Sequence, residues 1–216
     1  DGSASWFDSL TSGHCESFYN ALSFITCNRM IDLLKRLGKE KIVKKLSDFT
    51  SRTKQNYFKI FYNPTTHSIA QWLDKEGRIH DYISYAHLGA AICSGLVEND
   101  FAVSMLMEYL NNLDKTGFSK FEFGLPSFLI PIKNQDHNPW MGQAIDPDGK
   151  DTWGFYQNGG ISLANTNWLI TALYKNNLHS YATNLLKKML RRIIDCNASG
   201  PLNSGEDWRD WEGLPS

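Results

Sequence analysis

The sequence predicts an all-α fold in which αα-hairpins form two concentric layers, with long loops gathered on one face. Six segments have helical periodicity, and they fall into three consecutive pairs. In each pair the first helix is apolar around most of its surface, whereas the second has one apolar stripe. Links within a pair are short and links between pairs are long. This alternation predicts buried inner helices and outer helices with one face exposed to solvent.

The first pair of helices is predicted over residues 14–37 and 39–62. Apolar residues of the earlier helix, such as Phe18 and Ile25, fall on more than one face, which predicts burial on most sides. Gly38 follows it, as a glycine does at the C-terminus of many helices. The later helix has a single apolar stripe with lysines opposite, so it is expected to face water on one side.

The second pair follows a short irregular segment. Residues 68–82 contain a turn sequence between two alternating runs, which is typical of a small β-hairpin. Helices are then predicted over residues 81–96 and 98–113. The earlier of the two is apolar nearly all round, and the later carries a single stripe of paired apolar positions.

A long connection, residues 114–159, precedes the third pair. It contains four prolines and is rich in aromatic residues. Structureless loops longer than about 12–15 residues are usually functional or disordered, and this composition favours an ordered, functional loop. Helices are predicted over residues 160–175 and 178–195, followed by a loop of acidic and aromatic residues at 204–213.

Composition excludes several classes of partner. The chain has 216 residues and a formal net charge of −1, so neither nucleic acid nor an anionic membrane is an expected partner. It has no apolar run of the roughly 18 residues that a transmembrane helix needs. The four cysteines lack the spacing of a zinc site, and the sequence predicts neither a metal nor a cofactor.

Two architectures fit paired helices in two layers: an α-solenoid and a closed toroid of six hairpins. Solenoid repeats show a fixed sequence period. The three hairpins share no obvious period, and their linking loops differ in length, which favours the toroid. Residues 1–216 are therefore expected to form part of one catalytic domain, about three of its six hairpins, with the remainder upstream.

The segment 153–168 has the features of a ligand-binding turn. Aromatic and amide side chains lead to Gly159 and the adjacent glycine, after which an apolar helix is predicted that still carries Asn165 and Asn167. An unpaired amide in a core costs about 1–3 kcal/mol. We therefore expect the first turn of this helix to face a cavity that holds a polar ligand.

Three motifs resemble those of the six-hairpin, (α/α)6-toroid glycoside hydrolases, and glycoside hydrolase family 63 and its bacterial relatives in particular. Residues 1–8, Asp-Gly-Ser-Ala-Ser-Trp-Phe-Asp, resemble the family's Gly-x-Asp-Asn-Ser-x-x-Trp-Asp loop. Residues 156–161 and 167–168 resemble its Arg-Gly-Pro-x-Trp-x-x-x-Asn segment, although Asn-Gly-Gly replaces Arg-Gly-Pro. Residues 206–213 resemble its late acidic and aromatic loop but lack the usual Pro-x-Thr.

The resemblance implies a pair of catalytic carboxyl groups. Asp1 corresponds to the general acid, and Asp207, with Glu206 as second choice, corresponds to the general base. Inverting glycosidases hold two such groups about 6.5–9.5 Å apart, one to protonate the leaving oxygen and one to activate water. The alternatives are that Asp1 is an ordinary terminal residue and that Asp207 and Glu206 are solvated loop carboxylates.

The predicted substrate-binding residues share one face of the fold. Aromatic rings can stack on sugar faces, and the candidates are Trp6, Trp140, Trp153, Trp208 and Trp211. Polar and glycine candidates are Asp8, His14, Asp81, Gln157, Asn158 and Gly159. For each an alternative stays open: packing of the loops for the tryptophans, helix N-caps for Asp8 and Asp81, a structural role for His14, and support of the glycine turn for the amides.

The resemblance implies an exo-acting, inverting glycosidase that cleaves α-linked glucosides or related oligosaccharides. One alternative is a non-catalytic carbohydrate-binding or scaffold domain. Another is a phosphorylase or a polysaccharide lyase on the same toroid. A phosphorylase needs a cationic anion pocket where a hydrolase has its base, and the acidic loop at Glu206 argues against it. A lyase is expected to use Tyr, His or Arg, and Arg209 is the strongest candidate nearby.

Overall fold

The structure, a computed structural model, describes residues 6–117, 124–138, 153–154 and 157–194. Within them the chain forms three helical hairpins, and the predicted all-α class is confirmed. The helices are α1 (Ser17–Arg36), α2 (Glu40–Phe61), α3 (Tyr85–Cys93), α4 (Asn99–Lys115), α5 (Thr166–Lys175) and α6 (His179–Ile194). None of these helices is both long and apolar enough to cross a membrane.

The two predicted layers are present. In the inner layer α3 lies between α1 and α5, and each outer helix packs on the inner helix of its own pair. Every residue of α3 from Tyr85 to Ile92 is buried, as expected of a helix that is apolar all round. The links within pairs are tight turns, and the first passes through Gly38 at a φ of 63°, in accordance with the predicted helix end.

The prediction that α1 is buried on most sides was wrong for the described part of the chain. Met30, Leu33 and Leu37 near its C-terminal end are exposed by 43%, 52% and 58%. Among the described helices α1 contacts α2 and α3, and these cover only part of its apolar circumference. The exposed side of α1 is therefore an apolar surface without a described neighbour.

Short antiparallel strands occupy the loops between pairs. One sheet joins β1 (Cys15–Glu16), β4 (Trp72–Leu73) and β5 (Ile79–His80), and two ladders pair β2 (Tyr62–Asn63) with β3 (Ser68–Ile69) and β6 (Leu125–Pro126) with β7 (Ile161–Ser162). The β4–β5 pairing confirms the predicted hairpin. These segments lead from the end of an outer helix to the start of the next inner helix, so they lie at one end of the fold.

Helix α3 begins at Tyr85 rather than at the predicted residue 81, because side chains bind the preceding backbone. The side chain of Gln71 accepts a hydrogen bond from the backbone N–H of Tyr82. The carboxylate of Asp81 accepts one from the N–H of Ile83 at 2.8 Å. Ile83 itself has a φ of 54°, which is not a helical conformation. These local bonds replace the first helical turn.

Helix α5 begins at Thr166 rather than at residue 160, because Ile161 and Ser162 pair with an earlier strand. Asn165 precedes the helix at a φ of 61° and is half-buried, and Asn167 is exposed. The expectation of buried amides inside this helix was therefore wrong, and these two residues do not require a ligand.

Helices α3 and α5 approach so closely that only glycine fits at position 89. A Cβ atom there would lie 2.5 Å from the backbone carbonyl carbon of Trp168 and 2.7 Å from the backbone nitrogen of Leu169. Backbone atoms cannot move aside as a side chain can. The spacing of the inner layer therefore depends on Gly89.

We expect Gly89→Ala to lower the free energy of unfolding by about 3 kcal/mol, because the added methyl group forces α3 and α5 apart. Urea titration followed by circular dichroism measures this. Gly13→Ala is the matched control, since its Cβ would meet nothing closer than 3.9 Å. Equal stability of the two variants would contradict the close packing of α3 on α5.

Candidate functional site

The structure describes part of the predicted site. The described candidates are Trp6, Asp8, His14, Asp81, Trp153, Gln157, Asn158 and Gly159. Asp1, Trp140, Glu206, Asp207, Trp208 and Trp211 lie outside the described residues. The roles of the proposed acid and base therefore stay predictions, and the geometry concerns the loops that surround them.

The first loop (residues 6–12) is held on one side by Gln157. The side-chain amide of Gln157 donates to the carbonyl of Trp6 and accepts from the backbone N–H of Ser9 at 3.1 Å. Gln157 is 2% exposed, and buried hydrogen bonds of this kind contribute about 1 kcal/mol each. These bonds support the structural alternative for Gln157, while a contact with substrate stays a prediction.

The first loop is held on its other side by the bracing segment (residues 134–138). The backbone N–H of Asn138 donates to the carbonyl of Ser9 at 2.8 Å. The side chain of Asn138 donates to the carbonyl of Asp8 at 2.9 Å. Asn138 is buried, so water competes little for these bonds. The positions of Trp6 and Asp8 are thus fixed by two segments that lie more than 100 residues further along the chain.

Asp136 connects the first loop to the sheet. Its backbone carbonyl accepts from the N–H of Thr11 at 2.9 Å. Its carboxylate accepts from the hydroxyl of Tyr82 and lies 2.8 Å from Nδ1 of His80. Burial and the Asp136 carboxylate both raise the pKa of Tyr82 well above its usual range, so its hydroxyl stays protonated and remains a donor. Asp136 is 4% exposed.

His80 lies between two carboxylates. Its Nε2 is 3.3 Å from the carboxylate of Asp74, opposite the bond to Asp136, and its ring stacks on Trp72 with centroids 4.4 Å apart. Burial acts to raise the pKa of Asp74, but hydrogen bonds from Arg78 and His80 outweigh it and hold that pKa well below its usual range.

Trp153 packs over the glycine turn. A Cβ atom at Gly159 would lie 2.8 Å from the ring of Trp153, and the φ of Gly159 is 90°. The side-chain oxygen of Asn158 accepts from the backbone N–H of Ile132 at 2.8 Å, and its carbonyl accepts from Gly154. One face of the Trp153 ring is therefore covered by the turn, and Asn158 supports the loop around it.

Asp81 binds the loop between β2 and β3. Its carboxylate accepts from the side chains of Asn63, at 3.0 Å, and Thr66. Because α3 begins four residues later and its N-cap is Ser84, the N-cap alternative for Asp81 was wrong. His14 is exposed and has a φ of 60°, three residues before the start of α1.

Glu16 is the N-cap of α1. Its carboxylate accepts from the backbone N–H of Tyr19 at 2.7 Å and lies 3.1 Å from Nε2 of His87 on α3. Its side chain is 16% exposed, and a carboxylate at a helix N-terminus is stabilised by the helix dipole. Since Glu16 caps α1, the N-cap alternative for Asp8 was also wrong.

Sequence reasoning considered His80 as a structural residue but did not bring Asp136, His80 and Tyr82 together in this region. Asp136 lies in the long connection that was expected to be functional, which was the only signal for it. Its partners are 54 and 56 residues away along the chain, and no spacing pattern indicates such a contact. In the part of the chain that the structure describes, no group of three or more His, Cys, Asp or Glu side chains could hold a metal ion.

No family model matches this sequence, and no curated protein matches it. In three dimensions the chain is similar to the family 63 mannosylglycerate hydrolase of Thermus thermophilus, whose structure was determined in complex with glucose. The TM-score is 0.61 and the sequence identity is 13%. The match covers 92% of this chain and 45% of that chain. This likeness concerns the fold alone: the chain folds like a part of that hydrolase that spans less than half of its length.

We expect His137→Gln to reduce the loss of stability on acidification. Burial lowers the pKa of His137, and a backbone hydrogen bond with Asn138 offsets this in part. In the unfolded chain the pKa of a histidine is about 6.5. Because the folded pKa is lower, the unfolded chain binds the proton first, so stability falls as the pH drops through that value.

The measurement is the free energy of unfolding between pH 7.5 and pH 5.5. The matched control is His14→Asn, since His14 is exposed and asparagine tolerates its positive φ. The control is expected to keep the wild-type pH dependence. If the His137→Gln variant also keeps it, then this buried imidazole is not a source of acid sensitivity.

Proposed function

We propose that this chain is part of a glycoside hydrolase that removes terminal residues from α-linked glucosides or related oligosaccharides with inversion and without a cofactor. The observation that best supports this function is the position of the first loop. Its residues 6–8 are the last part of the motif that resembles the general-acid loop, and two later segments hold it at the N-terminal end of the inner helices. The fold is similar to that of part of a family 63 hydrolase.

In the proposed reaction Asp1 is the general acid and Asp207 is the general base, with Glu206 as the second choice for the base. Asp1 protonates the glycosidic oxygen as the bond to the anomeric carbon breaks. The base removes a proton from water, which attacks that carbon from the opposite face. Because Trp6 is anchored by Gln157, the five residues before it limit where Asp1 can lie.

The proposed substrate contacts follow from exposure and chemistry. Trp6 is 41% exposed and offers an aromatic face for a sugar ring. Asp8 is half-buried, His14 is exposed and Asp81 is half-buried, and their polar atoms suit sugar hydroxyls. We propose the same stacking role for Trp140, Trp153, Trp208 and Trp211.

We also propose that further helices of the same protein, upstream of residue 1, cover the exposed side of α1. One feature supports this. Met30, Leu33 and Leu37, at the C-terminal end of α1, form an exposed apolar stripe. A structure of the full-length protein in which this stripe stays in water would contradict the proposal.

For the full-length protein we expect Asp207→Asn to lower kcat about 1,000-fold, since general-base catalysis typically contributes 10²–10⁴-fold. The melting temperature should be nearly unchanged, because an amide keeps the shape of the carboxyl group. Hydrolysis of 4-nitrophenyl α-glucoside and of short α-linked glucans measures kcat. Proton NMR should show the β-anomer of glucose as the first product, as inversion requires.

The matched control is Asp210→Asn, which removes the same charge three residues along the same loop and should leave kcat unchanged. If Glu206→Gln loses activity while Asp207→Asn keeps it, the base is Glu206. A wild-type protein that binds these sugars without cleaving them would instead support the non-catalytic carbohydrate-binding alternative.

A further inference from the structure

We propose that Asp136 is a positioning residue for this site: held by His80 and Tyr82, it sets the location of the first loop and through it the location of the general acid. This inference rests on the proposed function. The backbone carbonyl of Asp136 accepts from the N–H of Thr11 in the first loop, so we infer that it acts through the backbone of that loop.

The two ends of Asp136 face different parts of the fold. Its carboxylate points to the sheet, where one oxygen receives the Tyr82 hydroxyl and lies 2.8 Å from Nδ1 of His80. Its carbonyl points to the first loop and accepts from the N–H of Thr11 at 2.9 Å. A displacement of the carboxylate therefore moves the backbone to which the first loop is bonded.

The sheet provides a fixed reference for this connection. Strand β5, which contains His80, pairs with β4, and β4 pairs with β1, which leads directly into α1. Trp72 on β4 is 2% exposed and stacks on the His80 ring. The partners of Asp136 are thus anchored to an inner helix rather than to a free loop.

The carboxylate of Asp136 depends on these partners. Its side chain is 6% exposed, and a buried charge without hydrogen-bond partners is strongly unfavourable. Two donors satisfy it in this position. We infer that the bracing segment is held where the carboxylate of Asp136 can bind both donors. The same segment binds the backbone of Ser9 and Asp8 through Asn138.

Asp74 provides a matched comparison. Its carboxylate lies 3.3 Å from the other ring nitrogen of the same histidine, His80, but its remaining described bonds are to Glu76 and Arg78 at the tip of the β4–β5 hairpin. Asp74→Asn and Asp136→Asn therefore each remove one carboxylate charge next to the imidazole of His80. Only Asp136→Asn changes the connection to the first loop.

The test uses both variants in the full-length protein. Hydrogen exchange of peptides that contain residues 6–12 is expected to be about tenfold faster in Asp136→Asn, and unchanged in Asp74→Asn. With 4-nitrophenyl α-glucoside, Asp136→Asn should lower kcat about 10–100-fold with little change in KM, because a misplacement of about 1 Å can cost 10²-fold. Asp74→Asn should keep the wild-type kcat.

Tyr82→Phe is the milder variant if Asp136→Asn does not fold, because it removes one donor and keeps the aromatic ring. It should show the same pattern to a smaller degree. Unchanged exchange in residues 6–12, or an equal increase in Asp74→Asn, would overturn the positioning role. If hydrogen exchange in residues 6–12 is faster in Asp136→Asn but the wild-type protein hydrolyses no glycoside, the connection from Asp136 to the first loop stands and the proposed function is rejected.

Discussion

The candidate site depends on hydrogen bonds that hold the first loop between two later segments. Gln157 binds it at Trp6 and Ser9, and the bracing segment binds it at Asp8, Ser9 and Thr11. These contacts join residues more than 100 positions apart in the chain. Hydrogen bonds between residues so far apart in the sequence form only when the helices between them are in place. The geometry of the site therefore depends on the whole fold.

The helices supply the frame because their inner layer packs closely. Gly89 lets the backbones of α3 and α5 meet, and α3 is buried along nearly all of its length. The inner helices begin at the end of the fold that carries the long loops, so their N-termini, with their partial positive charge, lie beside the first loop and the glycine turn. Polar ligands are favoured at such an end.

Periodicity predicted the helices and their two layers, because burial of one or all faces determines where apolar residues recur. It placed the starts of α3 and α5 too early, since helical periodicity shows neither the bond between Gln71 and Tyr82 nor the pairing of β7 with β6. It also overestimated the burial of α1. The cluster of Asp136, His80 and Tyr82 could not be predicted, because its partners come from separate loops and no local pattern relates them.

The most direct test of the proposed active site is the structure of the full-length protein with a bound, uncleaved α-glucoside analogue. We expect the carboxyl groups of Asp1 and Asp207 to lie on opposite sides of the glycosidic bond, separated by about 6.5–9.5 Å, with the first loop held as in this structure. An Asp1 carboxyl in bulk solvent, with no second carboxylate across the bound sugar, would contradict the assignment of this site to a glycosidase.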